Sequence, residues 1–318
     1  MSSPYSGWHS PGFRFRFHVR SISHRALFLP LQMKELPEII SIRNGESPLS
    51  VFNVASIHDA RDAFLRLRYA HDFSFWAARE YFVRDIHDPD RMVPLILNYF
   101  QCHIIDTFLR RFFRKMDSRY VITKQFRSYG VTTCVQAYIL WLQLFHWNKN
   151  SNTCGASDIC IRPLKANLMR YIHKDGELAE RRIPIPGADC RAFFNTFRSP
   201  DALRGIDFAY VHLADMSKWN DPARTYSMKA YVAGISGVLP HHNTLIVMEG
   251  NIPRPDVFRI EKNYNLNRPN VLPIQEYPNI CRNPFFLRQV VNTHNPNYAT
   301  PFILIDLNTN PFPDLSIV

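Results

Sequence analysis

One segment of the sequence carries the residue types that bind phosphate groups, in the order in which phosphate-binding loops present them. A β-branched run, Arg119–Thr123, leads into a polar loop, Lys124–Gly130, and two hydroxyl residues follow at Thr132 and Thr133. A cation, open backbone N–H groups and a hydroxyl at the start of a helix together hold phosphates and a magnesium ion. In the pattern Gly-x-x-x-x-Gly-Lys-Ser/Thr a lysine precedes the hydroxyl, whereas here Val131 does and the first glycine is absent. From this pattern alone, an ordinary strand-to-helix turn capped by Thr132 or Thr133 is the simpler interpretation.

Two further apolar runs end at an acid. Phe208–Leu213 is followed by Asp215, and Thr244–Met248 by Glu249. Ligands of parallel sheets bind beyond the carboxyl ends of the strands, so both acids are expected near the loop. Phosphoryl transfer needs a carboxylate that holds Mg²⁺ and one that orients the attacking water. A strand-end aspartate that caps the next helix is the alternative for Asp215.

The elements that must position these residues follow from the hydrophobic pattern. Apolar residues at helical spacing predict helices within 48–85, over Asn98–Lys115 and over Thr132–Trp147. The apolar runs described above, with a last one at Phe302–Asp306, predict strands buried on both faces. Such strands, separated by helices, indicate an α/β fold: a mostly parallel sheet flanked by helices, P-loop NTPase-like, in three αβα layers.

Composition narrows the classes of partner and compartment. The 318 residues include 38 basic and 27 acidic ones, a formal charge of +11, which favours nucleic acid, nucleotide or a membrane surface. The longest apolar run, around Tyr138–Leu142, is far below the roughly 20 residues of a membrane span, so we expect no membrane partner. Six scattered cysteines form no zinc or disulfide pattern and fit a reducing cytosol.

Residues 72–255 resemble the ATPase part of bacteriophage terminase large subunits through several short motifs in the family's order. The motifs are Asp72-Phe-Ser-Phe-Trp76-Ala-Ala, Leu97-Asn98-Tyr-Phe-Gln101, Lys124-Gln-Phe-Arg127-Ser-Tyr-Gly130-Val-Thr132-Thr133, Arg204-Gly205 with His212-Leu-Ala214-Asp215-Met-Ser-Lys-Trp219, and Ile246-Val-Met-Glu249-Gly250-Asn251. The third is similar to the family's variant Walker A loop, in which a basic residue lies early in the loop. The fourth is similar to its Walker B segment, with Asp215 at the catalytic glutamate position and Ala214 where a Ser or Asp usually stands.

The resemblance implies a role for each matching residue. Gln101 would recognise the adenine edge, and Thr132 would hold Mg²⁺ together with Asp215, which would also orient the attacking water. Arg204 would either sense the γ-phosphate or brace the loop at Asp207. Glu249 would belong to a segment that couples nucleotide state to movement. The remaining implied roles are phosphate contacts from Lys124, Arg127, Gly130 and Thr133, catalysis by Arg127, and coupling through Asn251.

The resemblance also implies an activity. The expected function is a motor ATPase that uses ATP and Mg²⁺ to translocate double-stranded viral DNA into a procapsid. The expected setting is a homo-oligomer on a portal ring, with the terminase small subunit, in the host cytoplasm. The alternatives are a degenerate relative that binds nucleotide or DNA with little hydrolysis, and another P-loop ATPase of helicase type. The run of basic residues from Arg110 to Arg127 would line the DNA path or form a solvated helix face.

Four regions are predicted along the chain. Residues 1–70 form a basic, aromatic arm and a helix, 71–260 the ATPase domain, 261–301 an Asn- and Pro-rich linker, and 302–318 a C-terminal strand. That strand either closes the sheet of the motor domain or begins a truncated RNase H-like nuclease, with Asp306 as a first metal ligand. A single strand cannot make a two-metal nuclease, so no nuclease activity is expected from this chain.

Overall fold

The computed structural model describes residues 31–307, apart from 86–87, 89, 117, 125–129, 173–180, 200–204, 220–229, 231–232, 235–236, 240, 242 and 252–302. These residues fall into two compact units. The first comprises the described parts of Met1–Ile96 with Trp141–Asn148 and Ile185–Asp189, and the second comprises those of Leu97–Leu140, Lys149–Pro184 and Cys190–Val318. In the described part of the chain, no helix combines the length and the apolar character that a membrane crossing needs.

The first unit consists mainly of short helices and one hairpin. The elements are α1 (Leu31–Lys34), α2 (Pro37–Arg43), α3 (Pro48–Val51), α4 (Ile57–His71), α5 (Phe73–Glu80), β1 (Phe82–Arg84) and β2 (Met92–Pro94), with β1 and β2 antiparallel. The sequence predicts helix through 48–85, but helix ends and restarts twice there, because Ser56 and Asp72 each cap a new N-terminus with a side-chain oxygen. The chain then extends into β1, where the prediction of helix is wrong.

Aromatic side chains form the core of this unit. Trp76 and Phe73 are fully buried, and Trp141 packs edge-on against Phe73. The indole N–H of Trp141 donates to the carbonyl of Tyr69 at 2.7 Å, which satisfies a polar group that burial would otherwise leave without a partner.

The second unit is built on a seven-stranded sheet. Its elements are α6 (Tyr99–Phe113), β3 (Ser118–Lys124), α7 (Val131–Phe145, whose last turn belongs to the first unit), β4 (Ser151–Gly155), α8 (Asp158–Tyr171), β5 (Arg182–Pro184), β6 (Arg191–Thr196), β7 (Tyr210–Leu213), β8 (Leu245–Asn251) and β9 (Ile303–Asp306). The strand order is β5-β6-β4-β7-β8-β3-β9, and every neighbouring pair is parallel except β5 with β6. The predicted fold class, an α/β fold with a mostly parallel sheet flanked by helices, is confirmed.

The strand–loop–helix order predicted around the glycine is present in the structure. Strand β3 is buried along its whole length, and α7 begins at Val131, directly after Gly130. Phe108 of α6 packs on Tyr120 of β3 with ring centroids 4.3 Å apart and on Tyr138 of α7 at 5.2 Å. Aromatic packing through Phe108 therefore holds α6 against both α7 and the strand that carries Lys124.

Strand β8 is longer than predicted. The sequence places its end before Glu249, yet the strand continues through Gly250 to Asn251, pairing with β3 as far as Lys124. The prediction was wrong because a carboxylate normally marks a strand end, whereas this one is buried and compensated within the sheet.

Strand β4 was not predicted, because its residues are polar. Its sequence is Ser-Asn-Thr-Cys-Gly, and all five residues are buried. Hydrogen bonds between side chains satisfy part of this polarity: Asn195 of β6 donates to Oδ1 of Asn152 at 3.1 Å, and Gln136 of α7 donates to the Thr153 hydroxyl at 2.7 Å. The hydrophobic pattern alone cannot reveal a strand whose burial depends on such pairs.

Candidate active site

The candidate site lies at the carboxyl ends of three neighbouring strands. Strand β8 lies between β7 and β3, with Leu213 opposite Met248 and Ile122 opposite Glu249. Because all three strands are parallel, their carboxyl ends and the start of α7 share one edge of the sheet. The residues that follow or end these strands are thereby brought together.

Lys124, the last residue of β3, bridges two acids. Its Nζ lies 3.0 Å from Oε2 of Glu249 and 3.3 Å from Oδ1 of Asp215. Burial favours the neutral amine, but the two carboxylates outweigh it, and the pKa of Lys124 is raised. The ammonium is therefore a fixed positive charge between the ends of β7 and β8.

Glu249 is a buried anion with several donors around it. Its side chain is completely buried, and besides Lys124 it contacts Nε2 of His212, 3.1 Å from Oε1. Because a carboxylate only accepts, the proton of that hydrogen bond is assigned to Nε2 of His212. Burial alone raises the pKa of Glu249, but Lys124, His212 and a hydrogen bond from Thr132 overcome it and lower the pKa to about 2.

Asp215 lies in a tight turn directly after β7. Its backbone is left-handed (φ 50°, ψ 44°), a conformation that costs free energy for a residue with a side chain. Both carboxylate oxygens are engaged, Oδ1 by Lys124 and Oδ2 by Lys218 at 2.6 Å. The indole N–H of Trp219 donates to the carbonyl of Ala214 at 3.1 Å, which holds the turn from behind. Residues with this strained geometry concentrate at functional sites.

The start of α7 is held by a contact from α6. Gly130 has φ 65°, and its carbonyl accepts the first helical hydrogen bond, from the Cys134 N–H at 2.9 Å. The same carbonyl accepts a hydrogen bond from Nε2 of Gln101 at 3.1 Å. Oε1 of Gln101 accepts from the Asn98 N–H at 3.0 Å, which completes a capping box on α6. Gln101 thus ties the N-terminus of α6 to the N-terminus of α7.

The sequence-predicted residues are only partly brought together. Lys124, Thr132, Asp215 and Glu249 meet at one edge of the sheet, and Thr133 lies in the first turn of α7. Asn251 ends β8 opposite Lys124, and Asp306 ends β9 opposite Thr123, on the other side of β3. Arg127 and Arg204 lie outside the described residues.

Sequence reasoning did not single out His212 and Lys218 as site residues. His212 was part of the quoted Walker B-like segment, and a histidine inside an otherwise apolar strand that ends at an acid is a signal for a buried partner. Lys218 lies three residues after Asp215, the spacing at which side chains on a helical turn meet.

The residues present fit a magnesium ion bound together with a nucleotide. Among the described residues no group of three or more His, Cys, Asp or Glu side chains could hold a metal alone. Mg²⁺ usually keeps several waters and takes one or two protein oxygens with substrate phosphates. Thr132, at the start of α7, supplies a hydroxyl oxygen of that kind, and Glu249 and Asp215, which both contact Lys124, supply carboxylate oxygens.

Comparison with known proteins gives matches among solved structures only; no protein-family model and no curated protein matches the sequence. The large terminase of a thermophilic bacteriophage, solved with ADP, is 16% identical (TM-score 0.34) over 48% of this chain and 38% of that one. The large terminase ATPase domain of a Thermus phage is 11% identical (TM-score 0.34) over 48% of this chain and 64% of that one.

A third match is the SWI2/SNF2 ATPase core of Sulfolobus solfataricus, solved in complex with double-stranded DNA. It is 12% identical, with a TM-score of 0.36, over 67% of this chain and 45% of that one. The matched part of the chain spans less than two thirds of each of these three proteins. Phage large terminases are thus among the solved structures that this chain resembles, as the sequence motifs predict.

Proposed function

We propose that this chain binds ATP with Mg²⁺ and hydrolyses it, as the ATPase part of a motor that translocates double-stranded viral DNA into a procapsid. The observation that carries the proposal is the meeting of Lys124, Asp215, Glu249 and Thr132 beside a strand–loop–helix turn. A lysine, two carboxylates and a hydroxyl at a helix N-terminus are the groups that phosphoryl transfer needs.

Each residue has a task in this scheme. The N-terminus of α7 attracts the phosphates, because its backbone N–H groups and the helix dipole favour an anion. Lys124 and Arg127 contact the phosphates, and Thr132 supplies a hydroxyl to magnesium, which neutralises charge on the phosphates when bound. Asp215 orients the water that attacks the terminal phosphate. We assign Arg204, Glu249 and Asn251 to sensing and coupling.

A DNA contact surface is available on α6. Arg110, Arg114 and Lys115 are exposed at the carboxyl-terminal end of this helix, and Arg111 is half-buried beside them. Basic side chains at this spacing contact backbone phosphates without reading bases, which suits a translocase that must act on any sequence. The portal ring, the terminase small subunit and the host cytoplasm are parts of the same proposal.

The second candidate function is binding without turnover. Two observations favour it: Ala214 offers no metal ligand at the position before Asp215, and the Lys124 ammonium occupies both carboxylates. Such a protein would bind nucleotide or DNA but would hydrolyse little ATP.

The deciding experiment measures Mg²⁺-dependent ATP hydrolysis with and without double-stranded DNA. We expect DNA-stimulated turnover in the wild type and a loss of about a hundredfold or more in Asp215→Ala and Arg127→Ala. Matched controls are Asp207→Ala, an exposed acid just before β7, and Arg162→Ala, an exposed arginine on α8, both of which should keep turnover. ATP binding without turnover would support the second candidate, and no ATP binding would contradict both.

A further inference from the structure

Of the two acids in the site, Glu249 is the one that lies beside the hydroxyl proposed to bind magnesium. Thr132, in the first turn of α7, lies close enough to Glu249 for its hydroxyl to help lower the pKa of that carboxyl group. Asp215 instead contacts Lys124 and Lys218, and the residue before it, Ala214, has no side-chain oxygen. Magnesium at nucleotide sites is held by such a helix-start hydroxyl together with a carboxylate, directly or through water. Glu249 has the position that this task requires.

Contacts from two neighbouring side chains fix the carboxylate of Glu249 in place. A buried carboxylate is costly unless donors compensate it, and here Lys124 and His212 do so, at 3.0 and 3.1 Å. His212 is itself completely buried, and its Nδ1 has no hydrogen-bond partner among the described residues. Its one side-chain hydrogen bond in the described structure goes to Oε1 of Glu249. Outer groups of this kind orient metal-binding carboxylates in proteins.

Asp215 differs from Glu249 in burial and setting. Its side chain keeps 16% of its surface exposed, whereas that of Glu249 is completely buried. It also lies outside the strands, on a turn with left-handed backbone, where solvent can reach the carboxylate. A partly exposed carboxylate beyond the strand end suits contact with a water molecule, and a buried one between strands suits a fixed cation.

We propose that Glu249 is the carboxylate on the metal side of this site, that His212 is the positioning residue that orients it, and that Asp215 acts on the water side. This assignment rests on the proposed nucleotide-binding function. It gives Glu249 a task at the metal in addition to coupling, and it makes Asp215 dispensable for metal-dependent binding.

The test is the dissociation constant of the full chain for ADP, measured by titration calorimetry with Mg²⁺ and again with a chelator. The ratio of the two constants reports the gain in affinity that magnesium brings, independently of turnover. Glu249→Gln should lower this gain about tenfold or more, and because the gain is a ratio of two constants of the same variant, a change in magnesium-free affinity does not enter it. Asp215→Asn, the matched change of the other acid, should keep the gain.

His212 provides a second pair of variants that leaves both acids in place. His212→Leu removes the donor to Glu249 and should lower the magnesium-dependent gain about tenfold. His212→Gln carries an amide N–H at nearly the same distance from the backbone as Nε2 and should restore most of the gain. If far-UV circular dichroism shows that Glu249→Gln does not fold, this pair decides the assignment.

Different results would overturn the assignment of Glu249 and the proposed function. A gain that persists in Glu249→Gln and His212→Leu, but disappears in Asp215→Asn, would overturn the assignment while leaving nucleotide binding in place. A wild-type chain that binds ADP in neither condition would overturn the proposed function and the assignment with it.

Discussion

At the residue scale, the candidate site consists of opposite charges that are buried together. Lys124 contacts both Glu249 and Asp215, and His212 completes the set on the side of Glu249. Buried ion pairs of this kind add little net stability compared with apolar residues, yet removing one partner leaves an uncompensated charge and costs about 3–5 kcal/mol. Such a cluster is therefore better explained by a task in binding or catalysis than by stability.

The first prediction concerns the acid dependence of stability. The pKa of Glu249 falls from an ordinary 4.5 to about 2 on folding. A lowered pKa contributes stability that is complete above 4.5 and is lost as the pH falls towards 2, and between pH 6 and pH 3 the loss is about 2 kcal/mol. Urea denaturation at these two pH values should therefore show that the free energy of unfolding falls more between pH 6 and pH 3 in the wild type than in Glu249→Gln.

Glu38→Gln, which changes an acid in the first turn of α2 far from the candidate site in sequence, is the control for the loss of one acidic group. An equal fall in the free energy of unfolding in the wild type and in Glu249→Gln would show that the carboxyl group of Glu249 is not held ionised by its neighbours.

The second prediction concerns the glycine at the start of α7. Gly130 has φ 65°, and a Cβ there would collide with Nε2 of Gln101. Gly130→Ala should therefore destabilise the chain by about 2 kcal/mol or more, combining backbone strain with a steric clash. Gly205→Ala is the matched control, because Gly205 has φ 74° with no atom within 4 Å of the added Cβ. It should cost about 1–2 kcal/mol from strain alone.

Urea denaturation of the two glycine variants, followed by the double variant Gln101→Ala with Gly130→Ala, measures the clash separately from the strain. Shortening Gln101 removes the colliding atom, so the double variant should lose less stability than the two single variants added together. Additive losses would mean that the contact between Gln101 and Gly130 does not constrain this turn.

At the scale of elements, α6 and α7 are joined at their N-termini through one side chain. Gln101 caps α6 through Oε1 and holds the carbonyl of Gly130 through Nε2. Both polar ends of the side chain are thus engaged with the backbone, and Gln101 is 5% exposed. This arrangement suits a brace for the turn that precedes α7, whereas the sequence resemblance implies a reader of the adenine edge.

The third prediction separates these two roles. Gln101→Ala should lower the affinities for ATP and GTP by a similar factor, because the phosphate-binding turn that both share loses its brace. Asn98→Ala is the control: it removes the other half of the capping box, costs about 1 kcal/mol of stability, and leaves the contact with Gly130 in place. Fluorescence titration with both nucleotides measures the effect, and a loss confined to ATP would favour adenine recognition.

At the scale of the whole molecule, charge is the property that bears on function. The chain carries a formal charge of +11, and part of it is exposed at the end of α6. A polyanion such as DNA releases counterions when basic residues contact its phosphates, so the affinity falls steeply with salt. The number of contacts can therefore be read from the salt dependence.

The fourth prediction uses that dependence. Replacing Arg110, Arg114 and Lys115 by alanine should reduce the slope of log affinity against log salt by about 3, since each phosphate contact contributes about 0.9. The control replaces three exposed arginines on other helices, Arg66, Arg162 and Arg170, and should change the slope little. Fluorescence anisotropy of labelled double-stranded DNA at several salt concentrations gives both slopes, and equal slopes would place the DNA contact elsewhere.

The sequence by itself determined the elements that carry the site. Helix α6, strand β3, helix α7 and strand β7 follow from apolar runs and helical spacing, and Asp215 was expected at its strand end. The α/β fold class followed as well, because strands buried on both faces must be covered by helices. These features depend on neighbouring or periodically spaced residues, so they can be predicted from the sequence alone.

Only the tertiary structure decided which charged groups meet. Lys124 and Glu249 are 125 residues apart, and their contact depends on β8 lying between β3 and β7. The same strand order buries Glu249 inside β8 instead of beyond its end, and it brings His212 to its carboxylate. Strand order and register are set by packing between distant segments, and the low dielectric between the strands then determines how strongly the buried charges interact.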